Sequence, residues 1–190
     1  MIRRGNSLGI RQCAALCTVI SIGTVVTACD DDPIRPEEGQ AFVVLDKGLN
    51  AYLVVNSDRA PVGSTISVEA RVRAVGEDLN PTAFLANLRY DAESLEPIAV
   101  IAQKDNVVRA VNLEAGPGLI KAAGAAPNGL GTEILVAVTM RVKQEAYAAS
   151  LSIDLDELTV VQENFADLAP EVKPMDRAIS AETEVVENLR

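Results

Sequence analysis

The chain reads as an all-β protein, an antiparallel sandwich, and three observations predict this. Apolar and polar residues alternate in several short runs, Pro, Gly, Asn and Asp separate those runs, and no stretch sustains a helical period. With 190 residues and 48% hydrophobic content the chain has enough apolar surface to close one core.

Residues 1–28 are set apart from that pattern. Arg3, Arg4 and Arg11 precede the apolar run from Cys13 to Val26, the basic and apolar regions of an export signal. The run is too short for a bilayer span, which needs roughly 20 residues. The Arg3-Arg4 pair suggests a twin-arginine signal, but Gly5-Asn6 does not continue that pattern. Val26-Thr27-Ala28-Cys29 resembles the bacterial lipobox, in which the cysteine is acylated after cleavage. The resemblance implies lipid attachment at Cys29. A diacylglyceryl thioether supplies the two acyl chains that stable anchoring needs, each buried CH₂ contributing ~0.8 kcal/mol. Cys13 and Cys17 leave with the leader, so the mature chain has no second cysteine for an internal disulfide.

Residues 29–40 follow as the anchor cysteine and an acidic, proline-broken tether, Asp30-Asp-Asp-Pro-Ile-Arg-Pro-Glu-Glu-Gly39. This composition cannot bury surface and reads as a solvated spacer. The expected address is the cell envelope, with the chain lipid-anchored to a bacterial membrane and the domain extracytoplasmic. Inner and outer membrane stay open alternatives, because the retention rule that Asp30 resembles in enteric bacteria is not general.

The domain is expected over 41–170. Its clearest strand runs from Thr65 to Val75, with Ile66, Val68, Ala70, Val72 and Ala74 on one face and Ser67, Glu69, Arg71 and Arg73 on the other. Phe84, Ala86, Leu88 and Tyr90 repeat the inward pattern. Asp91-Ala92-Glu93-Ser94 then supplies a turn before Leu95 and the run from Ile98 to Ile101. Val107 to Leu113 and Leu119 to Ala123 are shorter strands, punctuated by Gly116-Pro117-Gly118 and Pro127-Asn128-Gly129. Ile134, Val136, Val138, Met140 and Val142 form another inward stripe. Leu151, Ile153 and Leu155 alternate with Ser152, Asp154 and Asp156, and Leu158 to Val161 extends the run. Residues 171–190 are expected to add an edge strand at Arg177 to Ser180 and then a frayed or weakly helical tail.

Three segments carry a resemblance. Val62-Gly-Ser-Thr-Ile-Ser-Val-Glu-Ala-Arg-Val72, Ala83-Phe-Leu-Ala-Asn-Leu-Arg-Tyr-Asp-Ala-Glu-Ser-Leu-Glu96 and Thr132-Glu-Ile-Leu-Val-Ala-Val-Thr-Met-Arg-Val142 are similar to segments of the cohesin family. The corner Tyr90-Asp91-Ala92-Glu93-Ser94-Leu95-Glu96 is the most specific part. Ala92 stands where the family usually has proline, Ser64 where it often has aspartate, and Met140 where it often has phenylalanine. The resemblance implies a nine-stranded jelly-roll sandwich and a role as receptor for calcium-loaded dockerin modules. The polar pair that cellulosomal cohesins show their dockerin falls here near Ala83 and Leu85, both apolar. Ala83, Leu85, Asn87 and Arg89 are accordingly the candidate partner-binding residues. Leu85 is expected either to stand exposed or to be covered by the connection from Gly76 to Pro81. Exposure of Leu85 together with Leu135 and Val107 would mark a docking face.

Composition narrows the function further. Three of the 17 bases and none of the 27 acids fall in the first 28 residues, so the remainder carries a net charge of −13, which repels nucleic acid. The chain has no histidine and no tryptophan, so it lacks an imidazole base and a histidine-ligated metal. A non-catalytic binding module is the expectation. Asp154, Asp156 and Glu157 read as a solvated face rather than a paired-carboxylate catalytic site. No cofactor is expected; calcium suits such oxygens, but no EF-hand spacing is present. Polysaccharide or glycan recognition is the alternative to a protein partner, since it shares the sandwich architecture. Only Phe42, Tyr52, Phe84, Tyr90, Tyr147 and Phe165 are available to stack on sugars. Phe84 and Tyr90 belong to the core, and core or edge packing is expected for Tyr52, Tyr147 and Phe165.

Overall fold

The computed structural model describes residues 42–161, 165–175 and 178–189. Cys29, the leader and the tether lie outside the described residues. The strands are β1 (Phe42–Asp46), β2 (Gly48–Val55), β3 (Thr65–Val75), β4 (Pro81–Arg89), β5 (Leu95–Val100), β6 (Val108–Gly116) and β7 (Leu119–Ala125). They continue as β8 (Ile134–Val142), β9 (Ser152–Val160), β10 (Ala166–Asp167), β11 (Lys173–Pro174), β12 (Ile179–Ser180) and β13 (Glu184–Asn188). One sheet runs β10-β9-β4-β7-β6. The other runs β11-β2-β3-β8-β5, with β12 added alongside β2. Pairings among β2 to β9 are antiparallel, whereas β11 and β12 join β2 in parallel. The expected sandwich is therefore the fold, carried by eight long strands, β2 to β9, with shorter pairings at its margins.

Period-2 alternation places the core. Ile66, Val68, Ala70 and Val72 of β3 meet Phe84, Ala86 and Leu88 of β4, Ile120 and Ala122 of β7, and Val136, Val138, Met140 and Val142 of β8 in one buried cluster. Tyr147 follows β8 in a short 3-10 turn and is also inside. Its hydroxyl donates to Ser57 O at 2.8 Å and accepts from the Ala60 N–H at 2.9 Å, so the buried phenol stays satisfied.

Among the register shifts along the strands, two change which residues face the core. Between β3 and β8 the register shifts at Ala70/Arg71, so Leu135 joins Val136 in the core, although neighbours on an unbroken strand face opposite ways. Between β4 and β9 it shifts at Leu85/Ala86. Inward positions on β9 change there from Ile153 to Leu158 and Val160, an odd-to-even switch in numbering. The run expected from Leu151 to Val161 thus contains one strand, Ser152–Val160, with a phase change at Asp156.

Arg109 sits on the edge strand β6 opposite Gly124, and its guanidinium crosses to the other sheet. Nε donates to Leu135 O at 2.7 Å and Nη2 to Ile134 O at 2.8 Å, which satisfies carbonyls beside the β8 bulge. The same group is bidentate to Asp105, at 2.6 and 2.8 Å.

The C-terminal residues depart from expectation. Residues 184–188 form a strand rather than a frayed or weakly helical tail, paired in parallel with β1 from Phe42↔Glu184 to Asp46↔Asn188. The physical reason is a second small core: Val43, Leu45, Tyr52, Val75 and Ile179 are buried together, with Val185 packed against them. Tyr52 donates to Glu133 Oε2 at 3.1 Å, and burial, with Glu133 adding to it, pushes its phenol above the ordinary value. The expected C-terminal edge strand is β12, at Ile179–Ser180.

Candidate functional site

The outward residues of β9, β4, β7 and β6 stack into rows across four strands. Asp154, Asn87, Lys121 and Asn112 form one row; Glu157, Leu85, Ala123 and Ala110 the next; Thr159, Ala83, Ala125 and Val108 the third. Arg89 stands one row beyond Asn87, beside Ser152 and Leu119. All four partner-binding candidates therefore share one face, as β4 alternation requires.

That face is graded. At the Arg89 end it is polar: Arg89 Nε lies 2.7 Å from Asp154 Oδ2, and Asn87 Nδ2 donates to Asp156 Oδ1 at 2.8 Å. Glu157 accepts from the Thr159 hydroxyl at 3.0 Å. Lys121, on the interior strand β7, has no charged or hydrogen-bonded partner among the described residues. At the other end β4, β7 and β6 contribute small or aliphatic residues, while β9 contributes Glu157 and Thr159. Leu85 is 41% exposed and Val108 78% exposed, with alanines 83, 110, 123 and 125 between them. β9 ends at Val160, and Phe165, next to the start of β10, is exposed.

The connection from Gly76 to Pro81 does not cover Leu85. Of the other two positions singled out in sequence, Leu135 is fully buried by its bulge and Val107 is partly buried against the core. Of the three, Leu85 alone is exposed, so the candidate face is centred on it. Ala110, Ala123, Ala125, Val108 and Lys121 join it, and their membership follows from the strand order β4-β7-β6.

The aromatic rings are dispersed. Tyr52 and Tyr147 are in the two cores, Phe84 is buried, and Tyr90 packs partly against the core at its corner. Phe42 and Phe165 are exposed on separate elements. Among the described residues no three acidic or cysteine side chains cluster closely enough to hold a metal ion.

The corner singled out in sequence is tightly built. Asp91 Oδ2 accepts from the Ser94 hydroxyl and Oδ1 from the Glu93 N–H, and these bonds hold its carboxyl below the ordinary carboxylate range. Tyr90 N–H donates to Gly118 O at 3.0 Å, tying the corner to the β6–β7 turn.

The family model for the cohesin domain matches residues 52–179, more than half of the chain. The chain belongs to the cohesin family. No curated protein sequence matches it. Among solved structures this cohesin is similar to the cohesin module of a family 33 glycoside hydrolase from Clostridium perfringens, at 15% identity and a TM-score of 0.50, covering 73% of this chain and 98% of that one. It is also similar to the sixth cohesin of scaffoldin B from Acetivibrio cellulolyticus, solved in complex with a dockerin, at 14% identity, TM-score 0.48, and 73% and 99% coverage. A non-cellulosomal cohesin from the archaeon Archaeoglobus fulgidus matches at 18% identity, TM-score 0.45, and 73% and 89% coverage. These likenesses are of fold. Within that fold, Ala83 and Leu85 lie on the outward face of β4, and both are apolar, as the sequence states.

Proposed function

We propose that this cohesin is a non-catalytic receptor module that binds a dockerin-like or other secreted protein through the outward face of β9, β4, β7 and β6. The observation that carries the reading is the exposure of Leu85 among small apolar neighbours, flanked by Lys121 and Asp154 with Asn87 buried between them. An apolar centre with a polar rim is the anatomy of a specific protein interface. Family membership supports the partner class, and the solved Acetivibrio relative is itself held by a dockerin. In this reading the lipobox at Val26 to Cys29 tethers the module to a bacterial envelope membrane, with the domain extracytoplasmic.

The test is capture from the secreted fraction of the native organism with the mature protein as bait, with and without calcium, and with Leu85→Asp as control. Recovery of a protein carrying duplicated calcium loops, lost on chelation and in Leu85→Asp, is the expected result. Recovery that is indifferent to Leu85→Asp, or of polysaccharide only, sinks the reading. The anchor is tested separately: a clickable palmitate analogue should label the wild-type chain and leave Cys29→Ser unlabelled.

A further inference from the structure

The open margin of the sandwich, between the edge strands β5 and β6 of its two sheets, holds a hollow of about 470 Å3. Glu96 and Pro97 line it from β5, Leu113 and Glu114 from β6, Tyr90 from the corner after β4, and Pro117 from the β6–β7 turn.

Local structure builds this hollow. The ladder between β6 and β7 is interrupted from Asn112 to Gly116, which releases Leu113 and Glu114 from pairing. The Glu114 N–H donates instead to Asn112 Oδ1 at 3.0 Å. Gly118, at a φ of 68°, approaches the Tyr90 carbonyl so closely that a side chain there would strike it. With the bond from the Tyr90 N–H to Gly118 O, that approach fastens the aromatic residue to the turn and pre-organises the site.

The chemistry of the lining is one-sided. Among the described residues that line the hollow, the Tyr90 phenol is the only side chain with an N–H or O–H to donate. Burial raises that phenol above its ordinary value, so it stays protonated. The Tyr90 hydroxyl and the Glu114 carboxylate have no hydrogen-bonded or charged partner among the described residues. Glu96 lies 3.2 Å from Arg141, but both side chains are half exposed, so the pair contributes little and leaves acceptor sites on the carboxylate. A sugar asks for donors as well as acceptors around its hydroxyls, and the lining offers mainly acceptors, one aromatic ring and apolar carbons. A guanidinium brings what is missing: its edge donates to carboxylates and its face stacks on a tyrosine ring. An ammonium supplies the charge without the flat face. The net charge of −13 beyond residue 28 also draws cations toward the domain.

We propose that this hollow receives an arginine side chain of a protein partner, with the guanidinium stacked on Tyr90 and donating to Glu114. The site lies at the margin of the sandwich, apart from Leu85, and does not depend on the receptor reading.

The test is a titration of the isotope-labelled full chain with blocked alanine pentapeptides that carry arginine, lysine, citrulline or norleucine at the centre. The arginine peptide should shift the backbone amides of Tyr90, Leu113 and Glu114 with a dissociation constant of about 1–10 mM. Citrulline and norleucine should bind roughly tenfold more weakly or worse, with lysine between. Glu114→Gln should weaken the arginine peptide roughly fivefold, and Leu85→Asp should leave it unchanged. Equal affinity for citrulline, indifference to Glu114→Gln, or no shift up to about 50 mM peptide overturns the proposal. Lysine binding as tightly as arginine overturns the stacked guanidinium, and preference for norleucine assigns an apolar ligand instead. Shifts of the same amides by cellotetraose but by none of the peptides assign a sugar and overturn it too. Loss of the arginine shifts in Leu85→Asp places the peptide on the receptor face and overturns the separate site while leaving the receptor reading intact.

Discussion

Gly124 of β7 lies directly opposite Phe84 of β4, and the Phe84 ring occupies the space that a side chain at 124 would need. A Cβ built on Gly124 would come within 2.3 Å of Phe84 Cε1. The glycine serves close packing of an aromatic ring beneath the candidate face. Gly124→Ala should destabilise the fold by about 1–3 kcal/mol, measured by urea unfolding. Adding Phe84→Leu should recover part of the loss, and additive losses would show that the two sites do not share that space.

Tyr147 ties the chain ahead of β3 to the end of the sandwich through two hydrogen bonds on one hydroxyl. Tyr147→Phe keeps the ring and removes the hydroxyl that partners both the Ser57 carbonyl and the Ala60 N–H. The expected cost is about 1–3 kcal/mol in chemical denaturation, with little change in the slope against denaturant. A null effect would mean that water replaces the hydroxyl.

Acid stability follows from the aspartates. Asp105 is held below the ordinary carboxylate range chiefly by Arg109, Asp91 by Ser94 and the Glu93 N–H, and Asp167 by the N–H groups of Leu158 and Ala169. A folded-state value below the unfolded one means that the folded state binds fewer protons. Their stabilisation is therefore complete above the unfolded value of about 3.9 and is lost as pH falls through the depressed folded values. The melting temperature should be flat from neutral pH to about pH 5 and fall below about pH 4. Asp105→Asn should lower the neutral-pH plateau and flatten the acid limb, since it removes one of the groups being titrated.

The β1–β13 ribbon predicts a local effect of truncation. Ending the chain after Ser180 removes the strand that pairs with β1. Hydrogen exchange should then accelerate across 42–46 while the amides of β3, β4 and β8 stay protected. The stability cost is roughly 1.5–3 kcal/mol for each of Val43 and Leu45 that becomes exposed. Unchanged protection of β1 would show that packing on Tyr52 holds it without a strand partner.

Much of this architecture is legible in sequence where burial is one-sided. The strand from Thr65 to Val75 is written in uninterrupted alternation and appears with those bounds. The shift of inward positions on β9 is also present in the sequence, as apolar residues at 151, 153 and 155 followed by 158 and 160, yet a one-residue bulge is easily read as a continuous run. Leu135 belongs to the core for a reason no local pattern states, since its place depends on how β8 registers against β3. Residues 184–188, Glu-Val-Val-Glu-Asn, are too polar to announce a strand; their pairing depends on β1 at the far end of the chain. The candidate face divides in the same way. Ala83 and Leu85 stood out within one strand, whereas Lys121, Ala110 and Ala123 join them only through strand order, which alternation does not encode.

The pairing of β1 with β13 also sets a clock. Asp46 and Asn188 touch across the ribbon but are separated by 142 positions along the chain. At synthesis rates of about 5–20 residues per second, roughly 7–30 seconds pass between the emergence of the first strand and that of its mate. Throughout that interval Val43 and Leu45 have no strand beside them, so the earliest part of the domain to be made is the last to be sheltered.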